Sequence, residues 1–325
     1  MANPWRRFGG HSQVLSLTRR AVGNSGNLTF PGPLDREHQT SAEFVHHGPM
    51  ILVTGATGNA GGAVVSVLAE RGEQVRALVR DPGTRSLPGG VVAAIGDLNR
   101  PESMKPHLDG VAGVFLLSGY DGLDQTLANM RAAGVERVVL LSGGAAVATN
   151  ANNPISQYMI RSEEAVRAAG MPWTILRPYE FMSNALRWTE QLRNGDVVRA
   201  PFAHIGVAVI DPRDIAAVAV AALLDHGHGG QSYRLSGPRS LLPEDRVRIL
   251  STALGRELRF EAQSDDEARA EMSAGMPPEY VDAFVNFYVG GWVEESQVLP
   301  TVEQITGREP RTFEQWAAEH ADAFR

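Results

Sequence analysis

The sequence predicts an α/β protein with a doubly wound, mostly parallel sheet and a smaller C-terminal lobe. Three observations carry this expectation. Met50 to Val53 is a short apolar run leading into the glycine-rich stretch "TGATGNAGG", residues 54–62, and then into helix-forming residues from Ala63 to Leu68. Strand, glycine turn and helix make the opening unit of such a fold. Further apolar runs at 74–79, 91–95, 111–117 and 138–141 each end in polar or small residues. A chain of 325 residues is long enough for one large α/β domain, or for one with an attached lobe.

Each element has a local reason. After the first strand, Gly55 lets the chain turn sharply, Gly58 removes a side chain where a pyrophosphate would approach, and Gly61 allows helix to pack closely on sheet. Backbone N–H groups at the helix N-terminus would then face the phosphates, as in a Rossmann-type dinucleotide site. The spacing is G-x-x-G-x-x-G, which points away from the common dehydrogenase form G-x-G-x-x-G. A glycine turn with no ligand is the alternative, and the flanking strand and helix argue against it. The second strand ends in Arg80, Asp81 and Pro82. Arginine there accommodates the 2′-phosphate of NADP, whereas an acidic residue would bond the 2′-hydroxyl of NAD. Arg80 therefore favours NADP(H) over NAD(H), with a solvated loop arginine as the plainer reading. The third strand ends in Gly96, Asp97 and Leu98, the fourth in Ser118 and Gly119, and the fifth in Ser142, Gly143 and Gly144. That repetition marks the carboxyl edge, where ligands of open parallel sheets bind.

A helix is expected over 155–169, and another over 211–225 with Asp211 as its N-cap and Asp214 at the positive end of its dipole. The nucleotide-binding part should comprise residues 50–178 and about 206–231, and the lobe 179–205 and 232–325. In the lobe Tyr280, Phe284, Phe287, Tyr288 and Trp292 recur at about helical spacing, as core or as the wall of an aromatic cleft. Residues 1–49 read as a flexible extension, or as the product of a start codon upstream of Met50. Arg6, Arg7, Arg19 and Arg20 superficially suggest a transit peptide, but Val14 to Leu17 never extends into an apolar h-region and the arginines do not share one clear helical face.

Composition excludes several classes. A net charge of -7 supplies no basic field for nucleic acid. With no cysteine there is no disulfide, thiolate catalysis or thiolate-bound metal, and a reducing, cytoplasmic setting is expected. The longest apolar run, Ile215 to Leu224, is too short for a membrane span, which needs roughly 20 residues. His226 and His228 flank glycines with no third ligand in view, so a solvated turn is expected there and no metal site.

The segments "VTGATGNAGGAVV", "VRALVRDP", "GDLNRPESM", "AAGVERVVLLSG", "AAGMPWTILRPYEFMSN", "IDPRDIAAVAVAAL", "YRLSGP", "ALGRELRF" and "ITGREPRTFEQW" occur in this order from Met50 to the C-terminus. The chain thereby resembles the NmrA-like group of atypical short-chain dehydrogenases, which includes NADPH-dependent quinone reductases, other reductases and cofactor-sensing regulators. The resemblance implies that Gly55, Thr57, Gly58, Asn59 and Ala60 surround the pyrophosphate and Arg80 the 2′-phosphate. It also implies Asp97 and Leu98 near the adenine, Ser118 and Gly119 near the nicotinamide-side ribose, and Pro178 near the nicotinamide. Ala60 stands where members often carry a larger aliphatic residue.

Standard short-chain dehydrogenases use a serine after the fifth strand and a Tyr-x-x-x-Lys pair, because a phenol near pKa 10 needs a neighbouring cation to shuttle protons at neutral pH. Here Ser142 and Tyr158 stand in place, but the fourth residue after Tyr158 is Ser162, and Arg161 is one position early. Ser142, Tyr158 and Arg161 are the catalytic candidates. Tyr158 is either the acid or a half-buried helix tyrosine, and Arg161 either a cofactor contact or a solvated charge. Phe181, Met182, Asn184, Phe284 and Tyr288 are expected to shape an apolar acceptor pocket. The leading expectation is a reductase passing hydride from NADPH to a small hydrophobic carbonyl or quinone. The alternatives are an NADP(H)-binding redox sensor with a protein partner and, more weakly, a nucleotide-sugar epimerase or dehydratase. Oligomeric state stays open, a homodimer included.

Overall fold

The computed structural model describes residues 48–325 except 82, 84 and 85. The extension expected over residues 1–49 lies outside the described residues as far as position 47. The strands are β1 (Met50–Val53), β2 (Val75–Val79), β3 (Val92–Ile95), β4 (Val111–Leu117), β5 (Arg137–Leu141), β6 (Trp173–Pro178), β7 (Val197–Ala200), β8 (Gln231–Leu235) and β9 (Arg259–Ala262). The helices are α1 (Asn59–Glu70), α2 (Pro101–Met104), α3 (Leu123–Ala132), α4 (Pro154–Ala168), α5 (Thr189–Asn194), α6 (Pro212–Leu224), α7 (Pro243–Leu254), α8 (Asp265–Ser273), α9 (Pro278–Tyr288), α10 (Thr301–Thr306) and α11 (Phe313–Glu319).

Seven strands form one sheet in the order β3-β2-β1-β4-β5-β6-β8, and every pairing in it is parallel. This is the Rossmann order extended by one strand. Between β1 and β4 the strand order reverses, and at such a point, beyond the carboxyl ends of the strands, open parallel sheets bind their ligands. The expected elements fall within a residue or so of the observed ones, because strand alternation and helix caps are local signals. At α6 the N-cap is as expected, with Asp211 Oδ1 accepting from Arg213 N at 2.8 Å and Pro212 at the first helical position.

Side-chain alternation builds one core on each face of the sheet. Phe115 of β4 points toward Val64 and Leu68 of α1 and Ile215 and Val218 of α6. Its neighbours Val114 and Leu116 point the other way, toward Met104, Leu127, Met130 and Val166. Helix α6 is buried along nearly its whole length, and its alanines let it lie close against α1. A third core gathers Trp188, Leu192, Val198, Leu250, Phe313 and Trp316 around the small parallel pair β7-β9 and helices α7 and α11. Helix α10, although inside the 232–325 segment, places Val302 in the core shared by α1 and α6. Between α10 and α11 the chain is fastened to the start of α6: Arg311 N donates to Asp214 Oδ2 and Arg311 Nε to Asp211 Oδ2, both at 2.7 Å.

Candidate functional site

The carboxyl edge begins at the glycine loop. Thr54 is buried, and its Oγ1 accepts from Leu117 N at 3.0 Å, tying the end of β1 to the end of β4. Gly55 has a φ of 62°, and a Cβ there would lie 2.4 Å from Leu117 Cδ1. Gly58 N donates to Gly55 O at 2.8 Å, closing the turn. A Cβ on Gly61 would come within 2.3 Å of Gly55 O. Helix α1 then starts with no side-chain cap and no acidic residue in its first turn. Uncapped amides at the positive end of a helix, on a loop bare of side chains, fit a pyrophosphate. Thr57 lies in the same turn, and Asn59 and Ala60 open the helix, Ala60 being buried. Asn59 reaches the loop beyond β6, donating from Nδ2 to Ser183 Oγ at 2.9 Å.

Arg80 is exposed just beyond β2 and has no hydrogen-bond or ion-pair partner among the described residues. Asp81 Oδ1 accepts from Gly83 N at 2.9 Å, so that oxygen serves its own turn. Beyond β3, Asp97 Oδ1 accepts from the backbone and side-chain nitrogens of Asn99, at 3.0 and 3.1 Å. Leu98 is only 6% exposed and packs into the core with Leu78 and Met104. Its side chain is therefore taken up by the core, and only its backbone belongs to the edge.

At the end of β4, beside Ser118, Gly119 adopts a φ of 81° and donates its N–H to Ser162 Oγ at 3.1 Å. The same hydroxyl donates to Tyr158 O at 2.8 Å. Where the standard enzymes carry lysine, this chain uses a serine to bind the β4 loop to α4. Ser142 is likewise engaged, its hydroxyl donating to Glu163 Oε1 at 2.7 Å. Glu163, 2% exposed, also receives Arg177 through Nε at 2.9 Å and Nη2 at 2.5 Å, and Arg167 Nη2 at 2.8 Å. Burial would raise its pKa, but the hydrogen bonds from Arg177 and Ser142, with Arg177's charge, hold it below the usual carboxylate value. These bonds fix α4 against β5 and β6.

Tyr158 packs with Ala145, Ile155, Phe287 and Tyr280, and its hydroxyl has no hydrogen-bond partner among the described residues. Burial, and then the neighbouring Tyr280, push its pKa well above the ordinary phenol value. Arg161 is exposed, and its charge acts on Tyr280. Arg161 is not among the groups that shift Tyr158.

After Pro178, Tyr179 is buried and accepts from Arg234 Nη2 at 2.7 Å. Glu180 pairs with Arg246 at 3.1 Å and Arg187 at 3.4 Å. Burial would raise its pKa, but these two charges lower it. Phe181 packs against the sheet core and Met182 is buried in the third core, where it also lines a cavity of about 200 Å³ with Arg239, Thr312 and Phe313. Asn184 closes the loop, donating from N to Phe181 O at 3.0 Å. Phe284 and Tyr288 do come together, ring centroids 5.5 Å apart, and Tyr288 stacks on Phe202 at 4.8 Å. Phe287 and Trp292 turn to the other side, toward Tyr158.

Glu295 was not among the residues expected from sequence. Its Oε2 accepts from Glu180 N at 3.0 Å, while Oε1 lies where a side chain on Gly144 would project, 2.4 Å from a Cβ built there. One of two adjacent glutamates in an exposed stretch carries no local signal for such a position. Gly144, the third residue beyond β5, was the available hint.

A parallel sheet with a glycine-rich loop and an uncapped helix N-terminus at its reversal point is the architecture of nucleotide-binding proteins. The chain belongs to the NAD(P)H-binding family, whose model matches residues 55–226. Among its relatives is the (4-alkanoyl-5-oxo-2,5-dihydrofuran-3-yl)methyl phosphate reductase of Streptomyces griseus, 41% identical over 85% of this chain and 99% of that one. The NAD(P)H azoreductase of Xenophilus azovorans is 37% identical over 85% and 99%. The solved structure of an NADPH-dependent quinone oxidoreductase from Escherichia coli shares the fold, with a TM-score of 0.68 over 83% of this chain and 99% of that one at 22% identity. Among the described residues no helix is long and apolar enough to cross a membrane.

Proposed function

We propose that this protein is an NADPH-dependent reductase that delivers hydride to a small, hydrophobic, conjugated acceptor such as an enone or quinone. The observation that carries this reading is the state of the Ser142–Tyr158 pair. Ser142 donates to Glu163, and burial without a partner cation keeps Tyr158 a neutral phenol. A site without the usual phenol relay suits an acceptor whose own conjugation takes up the charge arriving with hydride. Bound at the glycine loop, the cofactor would supply that hydride. Gly55, Thr57, Gly58, Asn59, Ala60 and Gly61 would hold its pyrophosphate, and Arg80 the 2′-phosphate.

Two relatives support the reading by their names, one a reductase of an oxo-dihydrofuran phosphate and the other an azoreductase. The aromatic cluster of Phe202, Phe284 and Tyr288 offers apolar surface of the kind a conjugated ring would favour. The test is NADPH oxidation by the purified protein against a panel of quinones, enones, azo compounds and simple aldehydes. Turnover confined to conjugated acceptors supports the proposal, and NADPH that binds but is consumed by none of them would sink it.

A further inference from the structure

We propose that Glu295 is the acid that gives a proton to the acceptor as it is reduced. This role rests on the reductase reading above. The stretch after α9 crosses the carboxyl edge in front of β5 and β6. Trp292 O accepts from Thr149 N at 2.8 Å and Glu295 O from Ala208 N at 2.7 Å, so the backbone is pinned on both sides of the carboxyl group. The side chain is pinned as well, with Oε2 on Glu180 N and Oε1 against Gly144. Gly144 and Glu180 lie just beyond β5 and β6, on the half of the edge that faces the reacting end of a dinucleotide in this topology. With a glycine at 144 the carboxyl group takes this place without shifting, since a Cβ there would lie 2.4 Å from Oε1.

The surroundings decide its protonation. From the β6 loop comes Glu180, whose own partners are Arg246 and Arg187. From β8 comes Arg234, engaged with Tyr179 Oη and with Glu294 O at 2.8 Å. Tyr288 faces the pair from α9, and Glu294 adds a second negative charge from the same stretch. No ion pair reaches Glu295 among the described residues. Burial, together with the charges of Glu180 and Glu294, outweighs the N–H of Glu180 and the charge of Arg234, and lifts the carboxyl pKa to about 8. At neutral pH Glu295 is therefore a carboxylic acid, with a pKa near that of an efficient proton donor.

The step balances simply. Hydride from the nicotinamide donor forms a C–H bond on an enone acceptor, and the electron pair of the conjugated double bond moves toward the carbonyl. The Glu295 O–H bond breaks as the proton joins the developing enolate, and water returns a proton to the carboxylate. Acceptor, NADPH and one proton become reduced acceptor and NADP+.

Glu295→Gln keeps an acceptor for Glu180 N–H and the side-chain shape, but has no proton to transfer. Wild type and this variant are compared by kcat over pH with saturating NADPH, using one enone and one quinone. NADPH titration by fluorescence and thermal melting are run alongside. With the enone, wild-type kcat should fall as pH rises through about 8. The variant should lose about 100-fold or more and show no such fall. With the quinone, which solvent can protonate, its loss should stay below about tenfold, and NADPH affinity and melting temperature should be unchanged. Glu295→Asp should recover part of the enone rate and the alkaline fall. A variant that matches wild type on the enone, or that loses equally on both acceptors, overturns the role. Wild type that consumes no NADPH with either acceptor overturns the reductase reading itself.

Discussion

Asn59 Nδ2 donates to Ser183 Oγ at 2.9 Å, joining the first turn of the phosphate-binding helix to the loop beyond β6, 124 residues along the chain. The bond thus links the N-terminus of α1 to the loop that follows β6. Asn59→Ala and Ser183→Ala should each weaken NADPH binding about 3- to 10-fold, the worth of one hydrogen bond. Combined, they should cost little more than either alone, since both remove the same contact. Calorimetric titration of the four proteins checks this, and fully additive losses would mean the bond does not act on the cofactor.

Gly61→Ala should reduce NADPH affinity by at least about tenfold, because the new methyl group meets Gly55 O and Thr54 O, at 2.3 and 2.7 Å, and must push the loop away from the phosphates. Gly195→Ala is the control, since a methyl group there meets nothing within 4 Å. Equal NADPH affinity in the two variants would argue against the cradle.

Arg80→Ala should cost NADPH binding about 10- to 100-fold, the range of a charge-assisted phosphate contact, and leave NADH within about threefold. Titration with both cofactors decides between a phosphate contact and a solvated loop arginine.

Glu163→Gln should destabilise the protein by about 3 kcal/mol or more, since it leaves Arg177 and Arg167 without the carboxylate they share. The sign of the pH dependence follows from the lowered pKa: the stabilisation is present above the ordinary carboxylate value of 4.5 and is lost as pH falls through the folded value. Urea denaturation should therefore show the gap between wild type and variant closing on acidification.

Tyr158→Phe should leave kcat within about threefold of wild type and the pH profile unaltered, because a phenol held neutral with no cation beside it contributes little as an acid. A loss of 100-fold would restore Tyr158 to the centre of the chemistry.

What could be read from sequence was what neighbours in sequence decide. The expected run at 111–117 is β4 itself, and the helix cap at Asp211 falls where expected because it is a contact within three residues. The glycine loop was legible for the same reason. Contacts between distant segments were not. Nothing near Ser142 announces that its hydroxyl is spent on Glu163, and nothing in "GWVEESQ" announces that Glu295 meets the backbone of Glu180, 115 residues earlier. Leu98 sat in a motif whose family role is at the adenine, yet the alternation of the chain after β3 turns its side chain inward. The aromatic residues of α9 read as one stripe, but the helix lies between two clusters and divides them.

The hydroxyl of Ser162 has a consequence for the history and the engineering of this fold. Ser162→Lys would complete the missing Tyr-x-x-x-Lys spacing in one step, yet it removes the oxygen that receives Gly119 N and leaves Ser142 still donating to Glu163. Freeing Ser142 by changing Glu163 would in turn strip Arg177 of its carboxylate. Each single change toward a standard dehydrogenase thus passes through a less stable intermediate. The two catalytic designs are separated by an epistatic valley, and a library search for a ketone reductase on this scaffold would have to vary positions 142, 162, 163 and 177 together.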